Sequence, residues 1–404
     1  MCLQQFPPHR TMRTKYLDDA SVRAWQQTSP TTEHLVRCTR ILYVLASLPL
    51  NLFLISADVL FGTTYYGLRQ WNWKTRTFQF LIANVVWALN PGVRPVMDVL
   101  SKKARSSTGS LKPDQGAYRA LYVEVPPCPD KLFGDAIHPS VAPEAVPCFW
   151  QWLESMPSPL TEVSLNERAM QKVMMYFVGG AMVQGHPIQS PLPFTLMATT
   201  SIPILGVNFR KAVTQETSFP AALQDAVAAF YYLLDQGYSA KNICIMGDSG
   251  GAGIVLTALL YLRRHQLDLP GSSALLSPFV DLVDDFSGDS QKLKYDILNP
   301  EILSTAAYQY TQNRPDLRST LLSPARNDLP VGYTFAGLPK LIIDYGDTEV
   351  FAHGIKRFIE AVRNSGVQVE VIEAKGKVHC YSYDAEDGIV SGIYGKLSSC
   401  LDGE

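Results

Sequence analysis

The run NICIMGDSGGAGIVLTALLYL, residues 242 to 262, carries the chain from an apolar β-rich stretch through Gly247, Asp248, Ser249, Gly250 and Gly251 into a helical one. This is G-x-S-x-G in a strand-to-helix setting. A serine at so sharp a turn takes a strained backbone conformation, and small residues two before and two after it avoid a clash, as Gly247 and Gly251 do here. The N-terminus of the helix that follows favours negative charge developing beside it. The chemistry such a serine could do is nucleophilic attack on a carbonyl, which needs a base.

Seven histidines are present: His9, His34, His138, His186, His265, His353 and His379. Where a serine sits on a strand-to-helix elbow the partners follow in the order serine, acid, histidine, leaving His265, His353 and His379. His265 ends the elbow helix beside Arg263 and Arg264, and His353 falls where a helix begins. His379 lies in the loop after the last apolar run, VEVIEAKGKVHCY, where a base would project over the nucleophile. The acid that orients the imidazole belongs just past the preceding strand, and LPKLIIDYGDTEVF offers Asp344, Asp347 and Glu349. Asp344 lies inside the strand, whereas local pattern does not separate Asp347 from Glu349. GDSGG is also the serine motif of chymotrypsin-like proteases, but those are all-β, place histidine and aspartate before the serine and rely on disulfides.

The elements that must position these side chains begin near residue 117. ALYVEV (120 to 125), KVMMYFV (172 to 178), ILGVNF (204 to 209), NICIMG (242 to 247), SSALLS (272 to 277), KLIIDY (340 to 345) and VEVIEA (369 to 374) read as strands. They alternate with helical patterns, among them PAALQDAVAAFYYLLDQG, in which Leu223, Val227, Phe230 and Leu234 recur at helical spacing before Gly237. This alternation predicts a mostly parallel sheet wrapped by helices.

Upstream the character differs. Residues 1 to 40 are polar and turn-rich, without the early apolar stretch of a cleavable signal peptide. Ile41 to Ala57 is an uncharged run of seventeen residues, apolar or neutral residues continue to Leu68, and Asp58 and Pro49 stand against insertion. Arg37 and Arg40 precede it, and Arg69, Lys74, Arg76 and the cluster Tyr65, Tyr66, Trp71 and Trp73 follow. That arrangement predicts a single membrane anchor over 41–68 on an endomembrane such as the endoplasmic reticulum, a cytoplasmic protein being the alternative. Residues 78 to 90 are too short to span, so 69–116 is expected as a basic amphipathic or cap segment.

Composition bounds the rest. Of 404 residues 47% are hydrophobic and 18% charged, which excludes disorder and coiled coil. The formal net charge of -2 gives no global attraction for nucleic acid, although residues 1 to 112 are strongly basic and the remainder acidic. Seven widely spaced cysteines form no CxxC or CxH pattern of the kind zinc or a redox pair uses, and no obligate protein partner is apparent.

YFVGGAMVQG (176 to 185), VNFRKA (207 to 212), GDSGG, LLSP at 275 to 278 and again at 321 to 324, LPKLIIDYGDTEV and VHCY occur together and in order. Residues 117–404 thereby resemble the hormone-sensitive-lipase-like branch of α/β-hydrolases, with its arylacetamide deacetylases and fungal steryl acetyl hydrolases. The resemblance implies an α/β-hydrolase fold: a mostly parallel central sheet flanked by helices, with a helical cap and an N-terminal apolar segment. It implies Ser249 as nucleophile and His379 as base. It also implies Glu349 as acid, because the family places that residue eleven positions after the Leu of a Leu-Pro pair, here Leu338; Asp347 is the alternative. The family's His-Gly-Gly-Gly loop reads Val178, Gly179, Gly180, Ala181 here, and the resemblance assigns the oxyanion donors to the backbone of Gly180, Ala181 and Gly250. The expected function is a serine carboxylic-ester hydrolase for a lipophilic ester, such as a sterol acetate or an acylated natural product of secondary metabolism, with neither metal nor organic cofactor. The rival expectations are an acyltransferase on the same residues and a non-catalytic small-molecule binder.

Overall fold

A computed structural model describes residues 19–20, 30–61, 71–89, 118–190, 192–284, 292 and 295–381. The chain divides into two compact units, Met1–Val93 with Asp284–Thr305, and Arg94–Val283 with Ala306–Glu404.

The larger unit is built on an eight-stranded sheet: β1 (Tyr118–Val125), β2 (Val146–Leu153), β3 (Val173–Phe177), β4 (Ile204–Val207), β5 (Ile243–Asp248), β6 (Ser272–Leu276), β7 (Lys340–Gly346) and β8 (Val369–Ala374). Their order across the sheet is β1-β2-β4-β3-β5-β6-β7-β8. β2 runs antiparallel to both β1 and β4, and every pair from β4 onward is parallel. The seven expected strands are present within a few residues of their sequence boundaries. β2, VPCFWQWL, is the one strand not expected from the sequence. Pro147 lies inside it, and proline weakens any strand reading because it cannot donate to the ladder. Here it stands near the strand's start, where its carbonyl accepts from Asn208 N at 2.9 Å.

β3 and β5 are fully buried apolar runs, as expected for strands covered on both faces. In chain order the helices of this unit are α1 (Leu165–Met170), α2 (Leu192–Thr200), α3 (Ala221–Asp235), α4 (Gly250–Arg264) and α5 (Ala352–Asn364). α3 buries Leu223, Val227, Phe230 and Leu233. The loop after β4 is fastened to α3 by Arg210, whose Nε donates to Asp225 Oδ1 at 3.0 Å. α4, the elbow helix, packs against β5 and β6 and buries Ile254 to Leu262 continuously. A helix buried on nearly all sides cannot shift, which fixes the turn from which it starts.

Among the described residues the smaller unit includes the helices α6 (Pro30–Phe61) and α7 (Trp73–Leu89) and the start of a further helix, Pro300–Thr311. α6 runs through Pro49, and within it His34–Leu60 is the one described segment long and apolar enough to cross a membrane. Its Leu42, Phe53 and Leu60 are exposed, as are Phe78 and Val85 of α7, while Phe80, Ala83 and Trp87 are buried. Asp58, the charge that weighs against insertion, accepts from Arg76 Nη1 at 3.2 Å, so the pair is neutral as a whole. Trp71, expected among interfacial aromatics, is buried edge-on against Tyr295 with ring centroids 5.8 Å apart. Tyr65, Tyr66, Leu68 and Arg69 lie outside the described residues, as do residues 1–18, 90–117, 285–291 and 382–404.

Candidate active site

Ser249 stands between β5 and α4 with φ 51 and ψ -120, a left-handed conformation that side chains rarely adopt. The need for glycine on either side is visible in the packing. A Cβ on Gly251 would lie 2.1 Å from Phe177 O, and one on Gly247 would lie 2.6 Å from the Gly251 carbonyl carbon. Ser249 N donates to Leu276 O at 2.8 Å, which ties the turn to the end of the neighbouring strand β6.

The structure brings His379 and Glu349 to this serine. His379 Nε2 is 2.9 Å from Ser249 Oγ. On the other side of the ring, Nδ1 is 3.8 Å from Glu349 Oε2. All three residues are buried, Glu349 completely. Phe351 meets the imidazole edge-on at 4.9 Å and itself stacks on Phe279 at 4.7 Å, so the ring is held by packing as well as by polar contacts. Glu349 Oε2 accepts from Ser277 Oγ at 2.7 Å and from Gly346 N at 3.3 Å. Asp347 is engaged elsewhere: its Oδ1 accepts from Gly376 N at 2.6 Å, and its Oδ2 is 3.8 Å from Lys375 Nζ. Asp344 lies inside β7, where its Oδ1 accepts from Tyr381 Oη. His265 stacks on Phe133 at the end of α4, and His353 is exposed on α5.

The electrostatics follow from burial and one standing charge. Burial disfavours the charged imidazole, while Cys380 and Glu349 favour it. The Cys380 thiol is pushed up to about 11 by burial and is neutral near pH 7, so the lasting counter-charge is Glu349. The net effect holds His379 above its ordinary 6.5. Burial, followed by the neighbouring charge of Glu349, raises Asp344 to about 8 despite its bond from Tyr381.

The segment expected to supply oxyanion donors lies against Gly250, the residue after the serine. A Cβ on Gly250 would lie 2.8 Å from Ala181 N and 2.6 Å from Met182 N. Gly180, Ala181 and Met182 all have positive φ (115, 51 and 64), so Ala181 and Met182 take a conformation that glycine would hold with less strain. Asp248, inside the GDSGG motif, is a further site residue to which the motif alone assigns no role. Its Oδ2 accepts from Gly179 N at 3.0 Å and its Oδ1 from Tyr176 Oη at 2.6 Å, fastening the loop after β3 to the elbow. Its place beside the serine was the available signal. Ser277, the serine of the first LLSP motif, reaches the site through its bond to Glu349. Among the described residues no group of three or more His, Cys, Asp and Glu is placed to hold a metal ion.

A sheet of this order with a serine on the elbow after its central strand, a histidine beyond its last strand and a buried carboxylate between them defines an α/β-hydrolase. Residues 174–383 match the alpha/beta hydrolase fold family, and the chain belongs to that family. It is an enzyme of the carboxylic-ester-hydrolase class. Over 214 residues the chain is 31% identical to an acetyl-hydrolase of Streptomyces hygroscopicus, covering 52% of this chain and 69% of that protein. It is 27% identical over 210 residues to an esterase of Acinetobacter venetianus, covering 52% of this chain and 66% of that protein. A crystal structure of an esterase from the bacterial hormone-sensitive lipase family superposes with a TM-score of 0.57 at 21% identity, over 80% of this chain and 98% of that one, which is likeness of fold.

Proposed function

We propose that the protein hydrolyses short-chain esters, acetates foremost, of a lipophilic alcohol such as a sterol or a natural product, through an acyl-enzyme on Ser249. The observation that carries this reading is the 2.9 Å approach of His379 Nε2 to Ser249 Oγ on a positive-φ elbow. His379 Nε2 takes the hydroxyl proton while Oγ bonds to the ester carbonyl carbon, and the tetrahedral oxyanion is received by the N–H groups of Gly180, Ala181 and Gly250. Collapse breaks the ester C–O bond, the alcohol leaves with the proton from His379, and water repeats the sequence to release the acid. Glu349 is the acid in this reading: it is buried and faces Nδ1, so it holds the imidazole and stabilises its charged form.

Acetate as the acyl group is supported by the likeness to the Streptomyces acetyl-hydrolase. A lipophilic alcohol and attachment to an endomembrane are supported by the exposed apolar side chains of α6 and α7. In this reading residues 117–404 are catalytic and the N-terminal segment attaches the enzyme to the membrane. The test is labelling with a fluorophosphonate probe together with hydrolysis of p-nitrophenyl acetate by the full chain. Ser249→Ala is expected to abolish both, and hydrolysis persisting in that variant refutes the serine mechanism.

A further inference from the structure

The LLSP serine, Ser277, is fully buried just past the end of β6 with φ 44. A left-handed φ is costly for any residue with a Cβ, and the position immediately before Pro278 is sterically restricted in addition. Cys380, next to His379, also has positive φ, at 53. These two strained residues are joined: Cys380 N donates to Ser277 Oγ at 3.1 Å, while the same Oγ donates its proton to Glu349 Oε2 at 2.7 Å. Ser277 N in turn donates to Asp344 O at 2.6 Å, anchoring the serine to β7. One hydroxyl thus links the carboxylate that follows β7 to the loop that carries the imidazole, and both segments are distant from it in sequence.

We propose that Ser277 is a positioning residue that sets the Glu349–His379 pair: it orients the carboxylate with its proton and holds the histidine loop with its lone pair. The proposal rests on the assignment of Glu349 and His379 made above. Without the hydroxyl, the Cys380 N–H loses its acceptor and Glu349 Oε2 keeps only the long bond from Gly346, so the pair loses its register. The substrate is untouched, so the effect falls on the chemical step.

The experiment uses the full-length enzyme, p-nitrophenyl acetate, and the variants Ser277→Ala, Ser277→Gly, Glu349→Gln and Ser277→Ala combined with Glu349→Gln. Both Ser277 variants are expected to lose roughly 10- to 100-fold in kcat, the scale of a hydrogen bond to a charged group, with KM within about twofold. The acid limb of kcat/KM moves to lower pH, because a carboxylate that is no longer held raises the imidazole less. On the Glu349→Gln background, Ser277→Ala costs less than it does in the wild type, since the charge its hydroxyl orients is gone and only its hold on the Cys380 N–H remains to be lost. Glycine relieves the strained φ, so a merely structural role makes Ser277→Gly more active than Ser277→Ala in step with its melting temperature; that result overturns the proposal. Single variants within about threefold of wild type, or losses that add in full on Glu349→Gln, overturn it as well. Glu349→Gln as active as wild type sinks the triad assignment itself, whereas an inactive Glu349→Gln beside normal Ser277 variants sinks only this inference.

Discussion

Replacing Glu349 with glutamine tests charge almost free of geometry. Both donors to Oε2, Ser277 Oγ at 2.7 Å and Gly346 N at 3.3 Å, demand an acceptor there, so the amide oxygen takes that position. It then still faces His379 Nδ1. The amide NH2 is left where Oε1 now sits, a buried position at which the carboxylate oxygen receives no hydrogen bond. A buried donor left unpaired costs about 1–3 kcal/mol of stability. What disappears from catalysis is the attraction between the carboxylate and the imidazolium formed during attack. At 3.8 Å and an effective dielectric of about 20, that attraction is about 4 kcal/mol, or about 10³-fold in rate. The assay is kcat/KM for p-nitrophenyl acetate across pH, with the folded fraction checked by circular dichroism. Glu349→Gln should lose about 10³-fold and move its acid limb to lower pH. Asp347→Asn, whose amide oxygen can still accept from Gly376 N, should stay within a few-fold. A loss under about tenfold for Glu349→Gln, or an equal loss for Asp347→Asn, refutes the reasoning.

Four further outcomes are expected. With His379 held above 6.5, kcat/KM should rise with pH through a value above 6.5; the stability His379 contributes runs the opposite way, fully present below 6.5 and lost as pH rises through the folded value, so the gap in denaturation midpoint between wild type and His379→Ala should narrow on that rise. Asp344, raised to about 8 from 3.8, binds a proton in the folded state that the unfolded chain has released, so its share of stability falls as pH rises across that window; Asp344→Asn should flatten the slope in pH-dependent urea denaturation. Gly251→Ala places a methyl 2.1 Å from Phe177 O and should yield protein that neither folds nor takes the probe, whereas Gly366→Ala, with φ 79 and open space around it, should fold and cost about 1 kcal/mol in the same assay. If α6 anchors the protein, the full chain should stay with membranes through carbonate and high-salt washes, and full-length protein soluble without detergent would refute the anchor.

Much of this molecule was legible in its sequence because the relevant physics is local. The elbow is written in twenty-one contiguous residues: a strand too apolar to be exposed, glycines where any Cβ meets backbone, and a helix that begins at once. Seven strands could be read because each is a short β-rich run bounded by turn residues. β2 could not, since its proline and paired tryptophans take their meaning from β1 and β4 on either side. Which carboxylate stands at the imidazole was likewise beyond local pattern. Asp347 and Glu349 are two residues apart in the loop after β7, and their directions depend on the turn that Glu349 N makes to Gly346 O and on the loop beyond β8. Asp58, a liability for the apolar stretch when read alone, is neutralised by Arg76 eighteen residues on. Ser277 shows the same limit. Its hydroxyl serves Glu349 and Cys380 only because parallel pairing of β6 with β7 brings their ends side by side, so a group that looks like one serine of a repeated tetrapeptide acquires its partners from tertiary structure alone.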